Sequence, residues 1–413
     1  MSRVLKVGVL VGAVAVAAAG TAVLARQVKA EGAGLLQKYH VALGDIPAPG
    51  AGTANPPQVV DKPAGATLNL PPGFAIDIFA EAGDFKNLRY IIEGDNGEIF
   101  AADSSANTIT SISDTDGDGK ADERHVFAEG LKRPWGMAIT GGYFYVASTD
   151  SVVRWKYTPG QKHVEGKPET VTEVPGEGGH WTRSLAVSPD QSKLYVSVGS
   201  SSNIDVDPSP RSTILEMNPD GGSRRVFASG IRNPVGLTFR PGSNELWTSV
   251  NERDMLGDDL VPDYVTHLVD GGFYGFPYAY LGPHEDPRRK GERPDLVASA
   301  IVPDVLLQSH SAPLGLTFYT GSAFPAEYKG DAFLALHGSW NRKMRTGYKV
   351  VRVTFKDGKP TGGYEDFITG WSLGEAQPQV WGRPVAIVVH RDGSLLISDD
   401  AHNQIWRVTY KQP

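Results

Sequence analysis

Short apolar segments alternate with polar turns along most of the chain, and one phrase built from them returns six times. Each phrase has an apolar segment, a turn rich in Gly, Asp, Asn or Ser, and a second apolar or aromatic segment. Two short apolar segments joined by such a turn predict a β-hairpin. The phrases are LRYIIEGDNGEIFAAD from Leu88, RPWGMAITGGYFYVAS from Arg133, TRSLAVSPDQSKLYVSVG from Thr182, NPVGLTFRPGSNELWTSV from Asn233, APLGLTFYTGSAFPAEYKGDAFLALHG from Ala312 and RPVAIVVHRDGSLLISD from Arg383.

Equivalent positions in the six phrases recur 45 to 79 residues apart. These anchor residues are Tyr90, Trp135, Ser184, Val235, Leu314 and Val385. Paired strands repeated at such intervals are typical of a β-propeller, in which each repeat forms one blade around a central axis. The sequence therefore predicts an all-β, six-bladed β-propeller with insertions after the fourth and fifth phrases. A β-sandwich is the alternative, but it gives no reason for the phrase to return six times.

The N-terminal part of the chain differs from the rest. Two positively charged residues precede an apolar run over residues 7–25, which predicts a signal peptide or a membrane anchor within residues 1–30, and hence export. Residues 31–66 are rich in Pro, Gly and Ala and are expected to form a tether with little to pack. Residues 67–413 are then expected to form the propeller domain, in the periplasm and either soluble or anchored to the inner membrane.

Composition and charge restrict the kinds of cofactor and ligand that the protein could bind. The 413 residues include no cysteine, which excludes disulfides, thiolate metal sites and a cysteine-attached haem, so a redox cofactor would be held without a covalent bond. The net charge of −7 becomes −11 without residues 1–30, which carry four positive charges and no negative one. A nucleic-acid partner is not expected, and an anionic ligand would need a local group of arginines and lysines.

The segment SDTDGDGKADE, residues 113–123, begins as a calcium loop does. Its carboxylates, which surround a glycine where the chain must turn, belong to Asp114, Asp116, Asp118 and Asp122. The twelfth position, where an EF-hand has a bidentate Glu, is His125, and strands rather than helices are predicted on both sides. The loop is expected to join two strands and to hold either a structural calcium ion or none; it is not expected to be a calcium sensor.

Polar residues stand just before several phrases, where the first strand of a blade starts beside the axis. They are His180, Arg183, Arg232, Asn233, His310 and Arg383, and the end of the fifth phrase adds His337, Asn341, Arg342 and Lys343. Converging arginines, histidines and an asparagine predict a pocket for a small polyanion. The acidic residues 250–264 could add a hard cation through carboxylate and carbonyl oxygens. An anion, a cation and a histidine base together indicate alcohol oxidation by a quinone cofactor.

From about Pro71 onward the chain resembles the quinoprotein glucose/sorbosone dehydrogenases, six-bladed propellers that use pyrroloquinoline quinone (PQQ) and calcium. The motifs that carry the resemblance are NERDMLGDDLVPDY, GGFYGFPYAY, SHSAPLGLTFYTG and HGSWNR. They are most similar to the sorbosone and soluble aldose dehydrogenase branch. The resemblance implies oxidation of an aldose or a sorbosone-type sugar, with electrons passing to a separate protein or a membrane quinone because the chain has no haem motif.

The resemblance also implies roles for individual residues. His180 is the expected base that takes the hydroxyl proton of the substrate, and Arg232 is expected to polarise the reacting quinone carbonyl. The residues expected on the cofactor are Arg183, Asn233, His337, Arg342 and Arg383, of which Arg383 matches an arginine that pairs with a PQQ carboxylate. His337 stands where glucose-type members have a lysine, so Arg342 or Lys343 is expected to take over that contact.

The calcium ligands depart from the glucose-oxidising pattern. The relatives hold calcium partly through main-chain carbonyls of an E-x-G-P phrase, whereas this chain has N-E-R-D at residues 251–254. The expected metal site therefore uses carbonyls of this segment, such as that of Arg253, and carboxylates from Asp254 and Asp258.

Two other functions stay open. A calcium-dependent lactonase on the same scaffold would need an axial metal held by Glu, Asn or Asp side chains, whereas the axial positions here are mostly Arg and His. An exported propeller without catalytic activity could bind a glycan or a protein, with the same charged side chains paired across the channel. A requirement for PQQ would distinguish a dehydrogenase from both.

Overall fold

The computed structural model describes residues 36–411 and consists mainly of six four-stranded antiparallel sheets arranged in a ring. The predicted six-bladed β-propeller is confirmed. Each repeated phrase supplies the two inner strands of one blade. The signal peptide or anchor predicted within residues 1–30, with its apolar run 7–25, lies outside the described residues.

The strands of each blade are given from the axis outward. Blade 1 consists of Leu88–Glu93, Ile99–Asp103, Thr108–Ser113 and Glu123–Ala128. Blade 2 consists of Met137–Thr140, Tyr143–Ala147, Ser151–Lys156 and Glu169–Glu173. Blade 3 consists of Leu185–Val187, Leu194–Val198, Thr213–Met217 and Arg225–Ser229.

Blades 4 to 6 have the same order of strands but include insertions or a strand from another part of the chain. Blade 4 consists of Pro234–Phe239, Leu246–Val250, Pro262–His267 and Val305–Ser309. Blade 5 consists of Pro313–Phe318, Ala332–Leu336, Lys349–Val353 and Tyr364–Ile368. Blade 6 consists of Pro384–Val389, Leu395–Asp399, Gln404–Tyr410 and, as its outermost strand, Phe74–Ala80. The ring is thus closed by a strand that precedes the first phrase.

The remaining elements are short. Between the third and fourth strands of blade 4 lie the hairpin Ala279–Tyr280 and His284–Glu285, the 3-10 turn Pro287–Arg289 and the α-helix Pro294–Ser299. Other short elements are the 3-10 turns Leu43–Asp45 and Ala326–Tyr328 and the hairpin Phe355–Lys356 and Lys359–Pro360. The longer insertions thus belong to blades 4 and 5, in agreement with the spacing of the phrases.

The anchor residues of the phrases meet at the centre of the ring. Trp135, Val235, Leu314 and Val385 form one buried cluster with Tyr90 packed against it. The sixth anchor, Ser184, accepts a hydrogen bond from Trp135 Nε1 at 3.1 Å. The innermost strands therefore bury their anchors against one another, which explains why the same pattern recurs in each phrase.

Glycines in the phrases permit this close approach of neighbouring blades. A Cβ at Gly136, Gly236 or Gly315 would lie within 2.7 Å of a main-chain atom of the following blade. Side chains other than hydrogen do not fit at such distances. The proline–apolar–glycine sequence is thus a packing requirement of the ring.

Residues 36–66 do not form the loosely packed tether that their composition predicts. Lys38–Tyr39 adds a fifth strand at the outer edge of blade 5, and Gln58–Val59 pairs in parallel with Gln379–Val380. We call residues 50–60 the N-terminal strap. Main-chain pairing of this kind needs no apolar periodicity, so the sequence pattern does not reveal it.

The strap is hydrogen bonded to the insertions of blades 4 and 5. The side-chain amide of Asn55 donates to two main-chain carbonyls of the blade 5 loop at 3.1 and 3.0 Å. Arg345 donates to both the carbonyl and the side-chain oxygen of Asn55 at 2.8 Å. The main-chain N–H of Thr53 donates to Asp258 at 2.8 Å. The strap therefore joins the two loops that flank the axis on this side.

Candidate active site

Polar side chains gather at the end of the axis where the innermost strands begin and the second strands end. Because these two strands are antiparallel, the residue before one and the residue after the other meet at the same end of the blade. The positions that directly follow the second strands are Ser104, Ser148, Gly199, Asn251, His337 and Asp400. Together with the polar residues ahead of the phrases they form the candidate active site.

His180 presents one ring nitrogen as a proton acceptor. Its Nδ1 lies 3.0 Å from the carbonyl oxygen of Ser200 and 2.8 Å from the Ser200 hydroxyl. The hydroxyl gives its own proton to the carbonyl of Ser202 at 2.6 Å, so both oxygens accept from His180. The proton of the neutral ring is therefore on Nδ1, and Nε2 keeps a free lone pair, as a general base requires.

The two other histidines of the site have both ring nitrogens engaged. His310 Nε2 donates to the carbonyl of Gly257 at 2.9 Å, and its Nδ1 accepts from Asn341 at 3.1 Å. His337 Nε2 faces Asp400 at 2.9 Å, and its Nδ1 accepts from Arg383 at 3.1 Å. Of these three histidines, His180 is the one suited to take a proton.

Burial and the positive charge of Arg232 lower the pKa of His180 to about 3. The ring is therefore neutral at every pH where the protein would work, since protonation begins only as the pH approaches 3. We expect the ring NMR signal that disappears in His180→Ala to keep the shift of neutral imidazole from pH 8 down to pH 5. Titration of that signal near ~6.5, the ordinary value for histidine, would contradict this electrostatic environment.

Arg232 is buried, and all five of its N–H groups are used within the protein. Nε donates to the carbonyl of Asn203 at 3.2 Å, and Nη1 donates to the carbonyls of Asn251 and Glu252 at 3.3 and 2.7 Å. Nη2 donates to the side-chain oxygen of Asn203 at 3.0 Å and to Asp254 at 2.8 Å. Arg232 thus presents its positive charge at the site but has no unpaired N–H group.

A second basic group lies where blades 5, 6 and 1 meet. Arg89 pairs with Asp400, which also accepts from His337, and Arg383 donates to the other side of His337. Burial and the adjacent Arg383 lower the pKa of His337 to about 4. Burial raises the pKa of Asp400, but His337 and Arg89 outweigh it and hold that pKa below the usual range. With His337 neutral, two arginines face one carboxylate, so the group carries an excess positive charge.

Trp181 directly follows His180 in the chain, and its ring contacts this basic group. Its ring lies beneath the guanidinium of Arg133 at 4.0 Å and within 6.0 Å of that of Arg89. It also meets Trp135 edge to face, with ring centroids 5.7 Å apart. The pocket thus combines cationic groups with a flat apolar surface, which suits a planar anion.

Five polar atoms of the site are buried without a hydrogen-bond partner among the described residues: Arg89 Nε, Ser148 Oγ, Arg183 Nε, Asn233 Oδ1 and Arg383 Nε. Unpaired buried polar atoms are uncommon and costly in a native protein, so they indicate a missing partner. Asn233 Oδ1 and the Cβ of His180 both lie close to Gly199, since a Cβ there would be 2.9 and 2.7 Å from them. The unpaired N–H groups of Arg89 and Arg383 and the local positive charge fit a polycarboxylate such as PQQ.

Several residues predicted for the site have other partners. Arg183 is fully buried and donates to the carbonyls of His180 and Pro175 at 2.9 and 2.6 Å, so it supports the His180 loop from behind. Arg342 pairs with Asp259 at 2.6 Å. The side chain of Arg253 is enclosed by the blade 4 insertion, with Asp286 at 3.0 Å. Asp258 binds the strap.

Sequence analysis missed Arg89, Arg133, Trp181 and Asp400. Asp400 could have been found from its register, because it directly follows the second strand of blade 6 as His337 follows that of blade 5. Arg89 lies inside a strand, one residue after Leu88. Its inward position depends on the bulge that breaks the strand register between Leu88 and Ile91, which the sequence does not predict.

Some of the oxygens expected to hold calcium beside the cofactor are hydrogen bonded within the protein. The two carboxylate oxygens of Asp254 accept from Arg232 and Asn341. Within residues 36–411, three or more carboxylates or histidines close enough to share one metal occur at the acidic loop 113–123, and none at this segment. A calcium ion held by carbonyls and carboxylates of residues 251–258 remains a prediction.

The acidic loop is compact and brings three carboxylates together. Ligand oxygens of Asp114, Asp116 and Asp122 lie within 4.8 Å of one another. The main chain folds around the carboxylate of Asp114. The N–H groups of Gly117 and Gly119 donate to its two oxygens, each at 2.8 Å. The carboxylate of Asp118 is outside the group and accepts from Lys120 N–H. A structural calcium ion at this loop remains a prediction.

Two variants with the same loss of charge test the acidic loop. Calcium at a hundredfold excess over its Kd should stabilise the protein by about 2.7 kcal/mol if it binds only the folded state. We expect Asp116→Asn to abolish most of this gain in thermal stability and Asp118→Asn to preserve it. Turnover per folded molecule should not change in either variant. Equal loss in both variants would indicate a general charge effect, and no calcium effect in the unmodified protein would indicate an ion-free turn.

Fold and site together define a six-bladed propeller with a cluster of basic side chains at one end of its axis. The chain belongs to the TrAA12-like family, whose model matches residues 68–263 and 295–411. No helix among residues 36–411 is long and apolar enough to cross a membrane.

Sequence relatives differ in how much of their length this chain covers. An uncharacterised protein of Borreliella burgdorferi is 30% identical over 362 residues, which are 84% of this chain and 92% of that protein. The PQQ-dependent pyranose dehydrogenase of Coprinopsis cinerea is 26% identical over 332 residues, which are 65% of this chain and 44% of that enzyme. The chain thus spans less than half of the fungal enzyme.

Solved structures of the same fold include holo forms of quinoproteins. The holo PQQ domain of the Coprinopsis pyranose dehydrogenase superposes with a TM-score of 0.72 and 22% identity, covering 86% of this chain and 99% of that domain. The PQQ-bound aldose sugar dehydrogenase of Streptomyces coelicolor gives 0.58 and 18%, covering 83% and 100%. These likenesses confirm the fold.

Proposed function

We propose that the chain is a PQQ-dependent sugar dehydrogenase that oxidises a pyranose or another aldose. The observation that carries the proposal is the axial pocket, in which buried arginine and asparagine atoms without partners among the described residues lie near a histidine with a free Nε2. Membership of the TrAA12-like family and the similarity to a PQQ-dependent pyranose dehydrogenase support it. Sorbosone-type sugars belong to the same substrate class.

The cofactor would be held mainly by charge. Arg89 and Arg383 are the proposed partners of its carboxylates, because each has an unpaired buried Nε and their shared counter-ion is the single carboxylate of Asp400. Asn233 would add a neutral contact, and Trp181 an apolar surface. His337 orients Arg383 by accepting its hydrogen bond.

PQQ, when bound, supplies a two-electron oxidant that accepts a hydride from the substrate carbon. The protein has to remove the accompanying hydroxyl proton, which His180 Nε2 would take while Ser200 holds Nδ1. The nearby guanidinium of Arg232 would stabilise negative charge that develops during the transfer, because it is buried and fixed by five hydrogen bonds before the reaction starts. Its charge also keeps His180 unprotonated.

The proposal includes export to the periplasm, on the strength of the apolar run 7–25, and electron transfer to a separate protein or a membrane quinone. Neither assignment depends on the geometry of the pocket. The loop 281–295 of the blade 4 insertion and the N-terminal strap are the proposed sources of substrate contacts beyond the reacting carbon.

A reconstitution assay tests the proposal against its alternatives. Purified protein would be incubated with PQQ, given aldoses or sorbosone, and assayed by reduction of an artificial electron acceptor. We expect dye reduction that requires both PQQ and sugar. Hydrolysis of a sugar lactone without PQQ would favour a lactonase, and tight glycan binding without either activity would favour a binding protein.

A further inference from the structure

The main chain of residues 340–344, which we call the blade 5 loop, is fixed by other parts of the protein. Three of its carbonyls accept from Asn55 at 2.6, 3.1 and 3.0 Å, namely those of Trp340, Arg342 and Lys343. The N–H of Lys343 donates to Asp258 of blade 4 at 3.2 Å. Among the described residues, the main chain of the loop makes no other hydrogen bond. None of these bonds is made within blade 5 itself.

The N-terminal strap also holds the second partner of the loop. Thr53 donates to both carboxylate oxygens of Asp258, from its main-chain N–H at 2.8 Å and from its hydroxyl at 3.2 Å. The strap is held in turn by Arg345, which is 3% exposed and donates to the carbonyls of Asn55 and Pro56 at 2.8 and 2.9 Å. The main-chain hydrogen bonds of the blade 5 loop thus depend on the strap, either directly or through Asp258.

The blade 5 loop carries a buried side chain of the active site. Asn341 is 1% exposed, and its Nδ2 donates to one carboxylate oxygen of Asp254 at 2.6 Å. The other carboxylate oxygen of Asp254 accepts from Arg232 at 2.8 Å. Arg232 is the residue proposed to stabilise negative charge during the reaction. A continuous series of contacts therefore links Asn55 of the strap to this guanidinium.

We propose that the strap is a positioning element of the active site, in which Asn55 fixes the blade 5 loop so that Asn341 holds Asp254 and Arg232 in place. The inference rests on the proposed function. The match to the family model begins at residue 68, so the strap lies outside the matched propeller. Its effect on the reaction is indirect, because a group displaced by about 1 Å can cost on the order of 100-fold in rate.

Asn55→Ala removes the amide that donates to two carbonyls of the loop. We expect the single-turnover reduction of bound PQQ to slow on the order of 10- to 100-fold at saturating PQQ. The Kd for PQQ should change by less than about twofold, because Arg89 and Arg383 are unaltered. A folded Asn55→Ala protein that reduces PQQ at the unmodified rate would overturn the inference.

The control is the same substitution at Asn69, which lies outside the strap. Its side chain donates to the hydroxyl of Thr369 at 3.4 Å and contacts neither the blade 5 loop nor Asp258. Asn69→Ala should therefore reduce PQQ at the unmodified rate. An equal loss of rate in both variants would contradict a specific role for Asn55.

A double variant tests whether the strap acts through Asn341. If it does, Asn55→Ala should slow an Asn341→Ala protein by less than about twofold, because the contact that the strap positions is already missing. Asn55→Ala would instead cause its full loss of rate in the Asn341→Ala background if its effect were a general weakening of the fold. That result would overturn the inference.

Hydrogen–deuterium exchange tests the same contact without PQQ. We expect faster exchange in Asn55→Ala at the amides of the blade 5 loop, Lys343 among them, and unchanged exchange in the strands of blade 5. Unchanged exchange in the loop, or faster exchange throughout the propeller, would contradict the assignment. If the unmodified protein does not reduce PQQ with sugar, the proposed function fails, and the exchange rates still decide whether the strap orders the loop.

Asn55→Asp is the second variant, for use if Asn55→Ala does not fold. It keeps an oxygen that accepts from Arg345 but loses the amide donor to the carbonyls of Arg342 and Lys343. We expect faster exchange in the loop and a reduction rate lower by at least about threefold, as for one or two lost hydrogen bonds. Exchange and rate equal to those of the unmodified protein would overturn the inference.

Discussion

His180→Ala should lower the rate at which sugar reduces bound PQQ by on the order of 10²–10⁴-fold, because we propose that His180 removes the hydroxyl proton of the sugar. PQQ affinity should change little, since Arg89 and Arg383 are the proposed partners of its carboxylates. Single-turnover reduction of the bound quinone measures the first effect, and PQQ titration measures the second.

The control for this variant is His163→Ala, which alters an exposed histidine in a blade 2 loop. It should reduce PQQ at the unmodified rate. A rate that stays unchanged in His180→Ala with PQQ bound would show that another group takes the proton. His310 and His337 could then act only after losing the hydrogen bonds to Asn341 and Arg383.

Arg383→Ala should weaken PQQ binding on the order of 10- to 100-fold, the effect of losing a charge-assisted hydrogen bond to a carboxylate. Saturating PQQ should restore most of the single-turnover rate, because the proposed role of Arg383 is to hold the cofactor and not to act on the reacting carbon. Titration of the apo protein with PQQ, followed by single-turnover measurements at saturation, separates the two effects.

Arg342→Ala is the matched comparison. The sequence predicts a cofactor contact for Arg342, but its guanidinium pairs with Asp259, so we expect a change in PQQ affinity of less than about twofold. Equal weakening in both variants would contradict the assignment of Arg383 as a specific carboxylate partner and would indicate a general effect of net charge.

The fold could be predicted because it depends on a short sequence pattern that repeats in every blade. Each phrase has an anchor residue near the axis, and in three of the six phrases a glycine follows that anchor, as Gly236 follows Val235, and lets the next blade approach. The closing strand Phe74–Ala80 belongs to no phrase, and it is placed by pairing with Gln404–Tyr410 at the far end of the chain. Pairing over that sequence distance leaves no local pattern.

The site was predicted less completely, because an arginine side chain is long enough to point either toward the axis or away from it. Arg183 and Arg232 both precede an inner strand. Arg183 donates to the main chain behind His180, whereas Arg232 donates to the carbonyl of Glu252 and other oxygens around it. Arg89 and Asp400 define the second basic group through a contact between blades 1 and 6. Short phrases identify which positions face the axis, but not which charges pair there.

The central claim is that PQQ binds at the axial pocket between His180 and the Arg89–Arg383 group. A crystal structure of the protein soaked or co-crystallised with PQQ tests it most directly. The account predicts one PQQ per chain, with carboxylates hydrogen bonded to Arg89 and Arg383 and with His180 Nε2 facing the space beside the quinone. PQQ bound elsewhere on the propeller, or an empty axial pocket at saturating PQQ, would contradict it.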